Sequence, residues 1–93
     1  MTLDSTALTR VPALRRDMRL QWESAQQAHV LLYPEGMVQL NASAAAILTR
    51  CDGQRTLGDI VTELEQLYSQ SLRDEVLAFV ALASEKSWLE LLR

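Results

Sequence analysis

Ninety-three residues make one domain with a modest core, and a hydrophobic content of 48% suits a globular chain rather than a disordered one. The net charge of −3 argues against nonspecific binding to phosphate backbones, which needs a positive face, and leaves room only for a local basic patch. Cys51 is the only cysteine, which excludes an internal disulfide framework, and Cys51 with the single His29 is too small a ligand set for structural zinc.

No apolar run reaches the length of a membrane span, and the polar N-terminus lacks the apolar core of a signal peptide. The expectation is a soluble cytoplasmic protein with no membrane or nucleic-acid partner. Residues 1–15 mix Thr, Ser and Arg with scattered Leu and Val, and are expected to form a flexible arm, tied down if anywhere near Val11–Leu14. Residues 16–93 then make the single folded domain.

Residues 16–23 alternate. Met18, Leu20 and Trp22 point one way and Arg19, Gln21 and Glu23 the other, the pattern of a half-buried strand. Ser24 to Gln27 is a polar connection, and Ala28 to Tyr33 reads as a second strand. Pro34-Glu35-Gly36 is a turn, with Pro presetting φ and Gly free to take positive φ. Met37 to Leu40 is the third strand, and the short connections favour an antiparallel meander.

Asn41 offers a side-chain oxygen to a helix start, and the Ala-rich run that follows predicts a helix over about 42–51, with Ala45, Leu48 and either Ala44 or Ile47 inward. Asp52-Gly53 ends it, Gly53 being the natural residue for a left-handed cap. Thr56 and Asp59 make a capping box for a second helix over about 57–69, whose stripe is Leu57, Ile60, Val61, Leu64, Leu67 and Tyr68. A third helix covers about 72–86, with Val76, Phe79, Val80 and Ala83 as its stripe and Leu72 and Leu82 beside it. The tail from Ser87 to Leu92 is apolar enough to pack back on the sheet or extend the helix. Strands before helices predict an α+β fold, with a three-stranded antiparallel sheet followed by a three-helix bundle.

Candidate chemistry is sparse. His29 on a strand reads as an ordinary surface or half-buried residue. Cys51 reads as a packed thiol, because its neighbour Arg50 does not share its helical face. Glu35 is either a carboxylate for a partner or solvated turn content. Gly36, Gly53 and Gly58 each fit a turn or helix end rather than a phosphate loop. Trp22 and Trp88 read as core or interface. Leu3-Asp4-Ser5 mimics part of the acyl-carrier signature, but in a weakly structured arm rather than at a helix start. These residues predict no catalysis, metal or cofactor.

The ordered set Pro34-Glu35-Gly36, Leu40-Asn41, Ile47-Leu48, Cys51-Asp52-Gly53, and Thr56 followed by Ile60 and Leu64 resembles the PqqD family of pyrroloquinoline quinone (PQQ) biosynthesis. The resemblance extends to Pro12, to Arg19-Leu20-Gln21-Trp22 and to the segment Val76 to Leu89, covering residues 11–92. It implies a small winged-helix-like domain that recognises leader peptides, binds the precursor peptide PqqA and presents it to the radical-SAM enzyme PqqE. It implies a site along the third strand and beside the third helix, at Met37, Val38, Gln39, Leu40, Arg73, Val76, Leu77 and Val80. A winged-helix nucleic-acid binder or a generic protein-interaction domain is the alternative. The arm or the tail is a candidate surface for a homodimer.

Overall fold

The computed structural model describes residues 2–92, so expectations that touch Met1 and Arg93 lie outside the described residues. A 3-10 helix at Ser5–Thr9 opens the chain. There follow β1 (Pro12–Leu14), β2 (Arg19–Glu23), β3 (Ala28–Tyr33), β4 (Gly36–Gln39), α1 (Ala42–Leu48), α2 (Leu57–Tyr68), α3 (Arg73–Glu85) and β5 (Leu89–Leu91). No helix among the described residues is long and apolar enough to cross a membrane.

The sheet β2-β3-β4 is the expected antiparallel meander, with Leu20 opposite Leu31, Leu31 opposite Val38 and Tyr33 opposite Gly36. Pro34 and Glu35 alone span that last pair as a two-residue loop. Gly36 holds φ 158°, a positive angle that L side chains rarely adopt, so glycine suits the position. The helices lie against the face that carries Leu31, and the two layers enclose one core built from Leu31, Leu48, Leu57, Ile60, Val76 and Val80 among others.

Caps set the helix starts as the sequence predicts. Asn41 Oδ1 accepts from the Ala44 N–H at 2.8 Å. Thr56 Oγ1 accepts from the Asp59 N–H, and Asp59 Oδ2 accepts from the Thr56 N–H, both at 3.0 Å, a complete capping box. Both Ala44 and Ile47 are buried on α1, alongside Ala45 and Leu48.

Several expectations need correction. Helix α1 ends at Leu48 rather than near 51. Its last turn tightens through Arg50 N–H to Ile47 O and Cys51 N–H to Leu48 O, and the Arg50 guanidinium donates to Ala46 O at 2.8 Å. Gly53 does hold φ 77°, but two residues beyond that turn, where its N–H donates to Pro12 O at 3.0 Å. It is therefore a hinge that docks the loop on β1 rather than a helix cap.

Leu67 and Tyr68 continue the α2 stripe in sequence but are exposed, since the helix outruns the core at its C-terminus, where Ser69 turns left-handed. On α3, Leu77 is buried while Leu82 is half-exposed and Phe79 half-buried, so the inward stripe is rotated from the one expected. Trp22 is 50% exposed and is not core.

Two strands went unforeseen. β1 lies in the stretch expected to be an arm, and β5 in the tail; they pair antiparallel, Pro12 with Leu91 and Leu14 with Leu89. Each has three residues, too few to show a period, and each pairs as a strand with a segment from the other end of the chain.

Candidate functional site

Among the described residues β4 is an edge, since its only neighbour in the sheet is β3. Which of its main-chain groups face outward follows from one bond. The Leu40 N–H donates to His29 O at 2.9 Å, so His29 and Leu40 form a hydrogen-bonded pair. Hydrogen-bonded and open pairs alternate along an antiparallel ladder, and the register continues without a bulge to Tyr33 opposite Gly36. Gly36, Val38 and Leu40 therefore spend their N–H and C=O groups on β3. Met37 and Gln39 direct theirs away from the sheet.

The side chains split the same way. Val38 is half-buried against the core and Leu40 is buried, whereas Met37, at 51%, and Gln39 are exposed.

Two hollows show what lies beside this edge. An apolar pocket of about 250 Å³ joins Ala42 and Ser43, just past the end of β4, to Leu72 and Val76 at the start of α3, with Tyr68 on its rim. A second, more polar hollow joins Tyr33, Glu35 and Val38 to Lys86 and Trp88, just past the end of α3. The end of β4 thus adjoins the start of α3, and the start of β4 adjoins its end. One of these hollows is mostly apolar and the other carries charged side chains. The Lys86 ammonium lies 5.8 Å from the centre of the Trp88 ring, a cation–π distance.

Of the residues expected at the site, Met37, Val38, Gln39 and Leu40 share this strand, and Val76 lines the apolar pocket. Arg73 and Leu77 lie elsewhere. They line a hollow on the other side of α3, against Leu3 and Asp4, and Val80 is fully buried. Leu72, Tyr68, Lys86 and Trp88 were missed. The signal for Leu72 was available, since it stands one helical turn before Val76 on the same stripe. The contributions of Lys86 and Trp88 depend on where the chain leaves the helix, which no period encodes.

Reactive side chains are held apart. Burial pushes the Cys51 thiol up to about 12, with the Asp52 carboxylate adding to the shift, and its Sγ donates to Ile47 O at 3.3 Å. His29 meets the Trp22 ring edge-on, with centroids 5.1 Å apart. Among the described residues there is no group of three or more His, Cys, Asp or Glu side chains that could hold a metal ion. The Asp52 carboxyl is held below its ordinary value by the Gln54 and Arg55 N–H groups that bond it, a structural turn rather than a catalytic pair.

A three-stranded antiparallel meander followed by three helices, with one edge open beside the last helix, defines a small winged-helix-like recognition domain. A similar fold is that of the solution structure of the PqqD truncation of Methylobacterium extorquens PqqCD, described as a stand-alone recognition element for ribosomally synthesised and post-translationally modified peptides. That structure superposes with a TM-score of 0.73 at 34% identity, covering 86% of this chain and 88% of the other. The family model for coenzyme PQQ synthesis protein D matches residues 28–89, and the chain belongs to the PqqD family. It is 52% identical to a PqqA binding protein of Stutzerimonas stutzeri, over 90% of this chain and 94% of that one. It is 50% identical to a PqqA binding protein of Azotobacter vinelandii, over 96% of this chain and 99% of that one.

Proposed function

We propose that this chain is a non-catalytic adaptor of PQQ synthesis that binds the precursor peptide PqqA and presents it to the radical-SAM enzyme PqqE. The observation that carries the reading is the open β4 edge beside α3. Peptide addition needs unpaired main-chain groups for affinity and side-chain pockets for specificity. Met37 and Gln39 supply the first, and the pocket between Ala42 and Val76 supplies the second. The relatives named as PqqA binding proteins support the choice of peptide.

Within the site first expected, Met37 to Leu40 and Val76 carry the binding, joined by Leu72 and Tyr68. Arg73, Leu77 and Val80 act through the stability of α3. The nucleic-acid alternative is disfavoured by the helices, whose only basic residue is Arg73, itself 3.3 Å from Asp74. A groove-binding helix needs a row of such charges to meet phosphates.

Proline separates the two edges of β4. Gln39→Pro removes an outward donor, keeps the ladder to β3 intact, and weakens binding of labelled precursor peptide by roughly 1–3 kcal/mol. Val38→Pro removes a ladder bond to Leu31 and lowers the melting temperature instead. Titration and thermal melts of both variants, with and without PqqE, read the two effects separately. Unchanged peptide affinity in a folded Gln39→Pro protein would rule out addition at this edge.

A further inference from the structure

We propose that Glu65 is a positioning residue for peptide recognition: from outside the apolar pocket beside β4, its carboxylate holds the corner between α2 and α3 so that Leu72 and Tyr68 form the pocket wall. The inference rests on the peptide reading and deepens it, by naming the group that shapes the specificity pocket.

Residues 69–72 alone connect Tyr68, the last of α2, to Arg73, the first of α3. α1 and α2 each begin on the side chain of the residue just before them, Asn41 and Thr56. α3 has no such start, since Leu72 makes no side-chain cap bond. The Leu72 N–H donates instead to Glu65 Oε2, 2.8 Å away and seven residues earlier in the chain. A carboxylate there satisfies one orphan donor of the helix start and meets the positive end of the helix dipole. Among the described residues it is the only side-chain hydrogen bond made to residues 69–72.

The bond joins two surfaces. Gln70, Leu72 and Val76 line the apolar pocket, with Tyr68 on its rim. Glu65 is absent from that lining and sits with Ser71 in a separate hollow, so it acts on the pocket through Leu72. Glu65 has no ion pair among the described residues, and the Leu72 amide is the partner its carboxylate has.

Little else restrains the corner. Ser69 holds φ 55° and ψ 44°, a left-handed conformation that persists in a residue other than glycine only when its surroundings enforce it. Leu67 and Tyr68 are exposed, so the last turn of α2 has few buried contacts of the kind that resist local opening. Without the Glu65 bond Leu72 keeps its packing on the core, but its backbone loses the tie that sets its direction from α2. A pocket wall fixed before the peptide arrives spares binding the cost of ordering it.

Titration of labelled precursor peptide into the full chain and its variants tests this, with circular-dichroism melts confirming folding and hydrogen exchange read at the Leu72 amide. Glu65→Ala, which keeps high helix propensity, is expected to speed exchange at Leu72 and to weaken peptide binding ~5-fold or more. Glu65→Gln keeps an acceptor and stays within ~2-fold of the unmodified chain. In a Leu72→Ala background the wall is already lost, so Glu65→Ala then weakens binding by less than ~2-fold. A bond that only stabilised α3 would lower the melting temperature and change affinity by the same factor in both backgrounds. The contrast between Glu65→Ala and Glu65→Gln decides the matter by itself if Leu72→Ala does not fold. Three results each overturn the proposal: unchanged affinity in Glu65→Ala, Glu65→Gln binding as weakly as Glu65→Ala, or an equal loss in both backgrounds. An unmodified chain that binds no precursor peptide defeats the peptide reading, and this inference with it; binding indifferent to Glu65 defeats the inference alone.

Discussion

Gly53 adopts φ 77°, a conformation that costs an L-residue about 1 kcal/mol or more. A Cβ built there would lie 3.5 Å from both Ala13 Cβ and Leu92 Cδ1, ordinary contact, so the backbone alone carries the penalty of Gly53→Ala. The melting temperature is expected to fall by roughly 4–8 °C; an unchanged midpoint contradicts the left-handed geometry. Cys51 makes a different residue-scale prediction. Its thiol is raised from 9.0 to about 12 in the fold, so the native state holds a proton that the unfolded chain releases between those values. Stability from this group is full below pH 9 and declines as pH rises toward 12, a slope that Cys51→Ala should reduce. Alkylation by iodoacetamide near neutral pH should proceed only as fast as the protein opens.

The elements owe their limits to local chemistry, and those limits were mostly legible in advance. The box around Thr56 satisfies two otherwise orphaned donors at the start of α2. Thr56→Ala should cost about 1 kcal/mol, Asp59→Ala a similar amount, and the double variant less than the sum, because each bond helps hold the other's geometry. Chemical denaturation of the four proteins in that cycle measures the coupling, and strict additivity would show that the two bonds act alone. Helix α3 behaves otherwise. Leu72 caps it with no side-chain bond of its own, and its N–H donates instead to Glu65 Oε2 on α2 at 2.8 Å. A start held by another element is invisible to a local signature. The rotation of the α3 stripe that placed Leu77 inside has the same origin, because the 3-10 helix and Leu3 cover a face that four-residue spacing alone leaves open.

At the scale of the molecule, the N-terminal stretch acts as a clasp. Arg10 O, Val11 O and Pro12 O accept from the N–H groups of Leu57, Leu92 and Gly53, at 2.8, 2.7 and 3.0 Å. Val11 and Pro12 are buried, and β1 completes a sheet with β5. Deleting residues 1–14 removes those side chains and bares the apolar tail. The loss is expected to be at least ~3 kcal/mol, lowering the melting temperature by roughly 12 °C or more. A dispensable arm would leave the melt unchanged. Two short strands joined across the whole chain also place the tail, and Trp88 with it, beside Tyr33, Glu35 and Val38.

What the sequence determined by itself is whatever neighbours along the chain decide: the strand from Ala28 to Tyr33, the turn opened by Pro34-Glu35-Gly36, the caps at Asn41 and Thr56, and the meander those short connections require. The same local order carried the resemblance to the PqqD family, which the family match over residues 28–89 bears out. Only the tertiary structure decided which donors of β4 face outward, which side of α3 meets that strand, and that the two chain ends pair. Hydrogen-bond direction depends on which neighbour a strand finds, and the buried face of a helix depends on every element that covers it. Neither is written in a period of two or of 3.6.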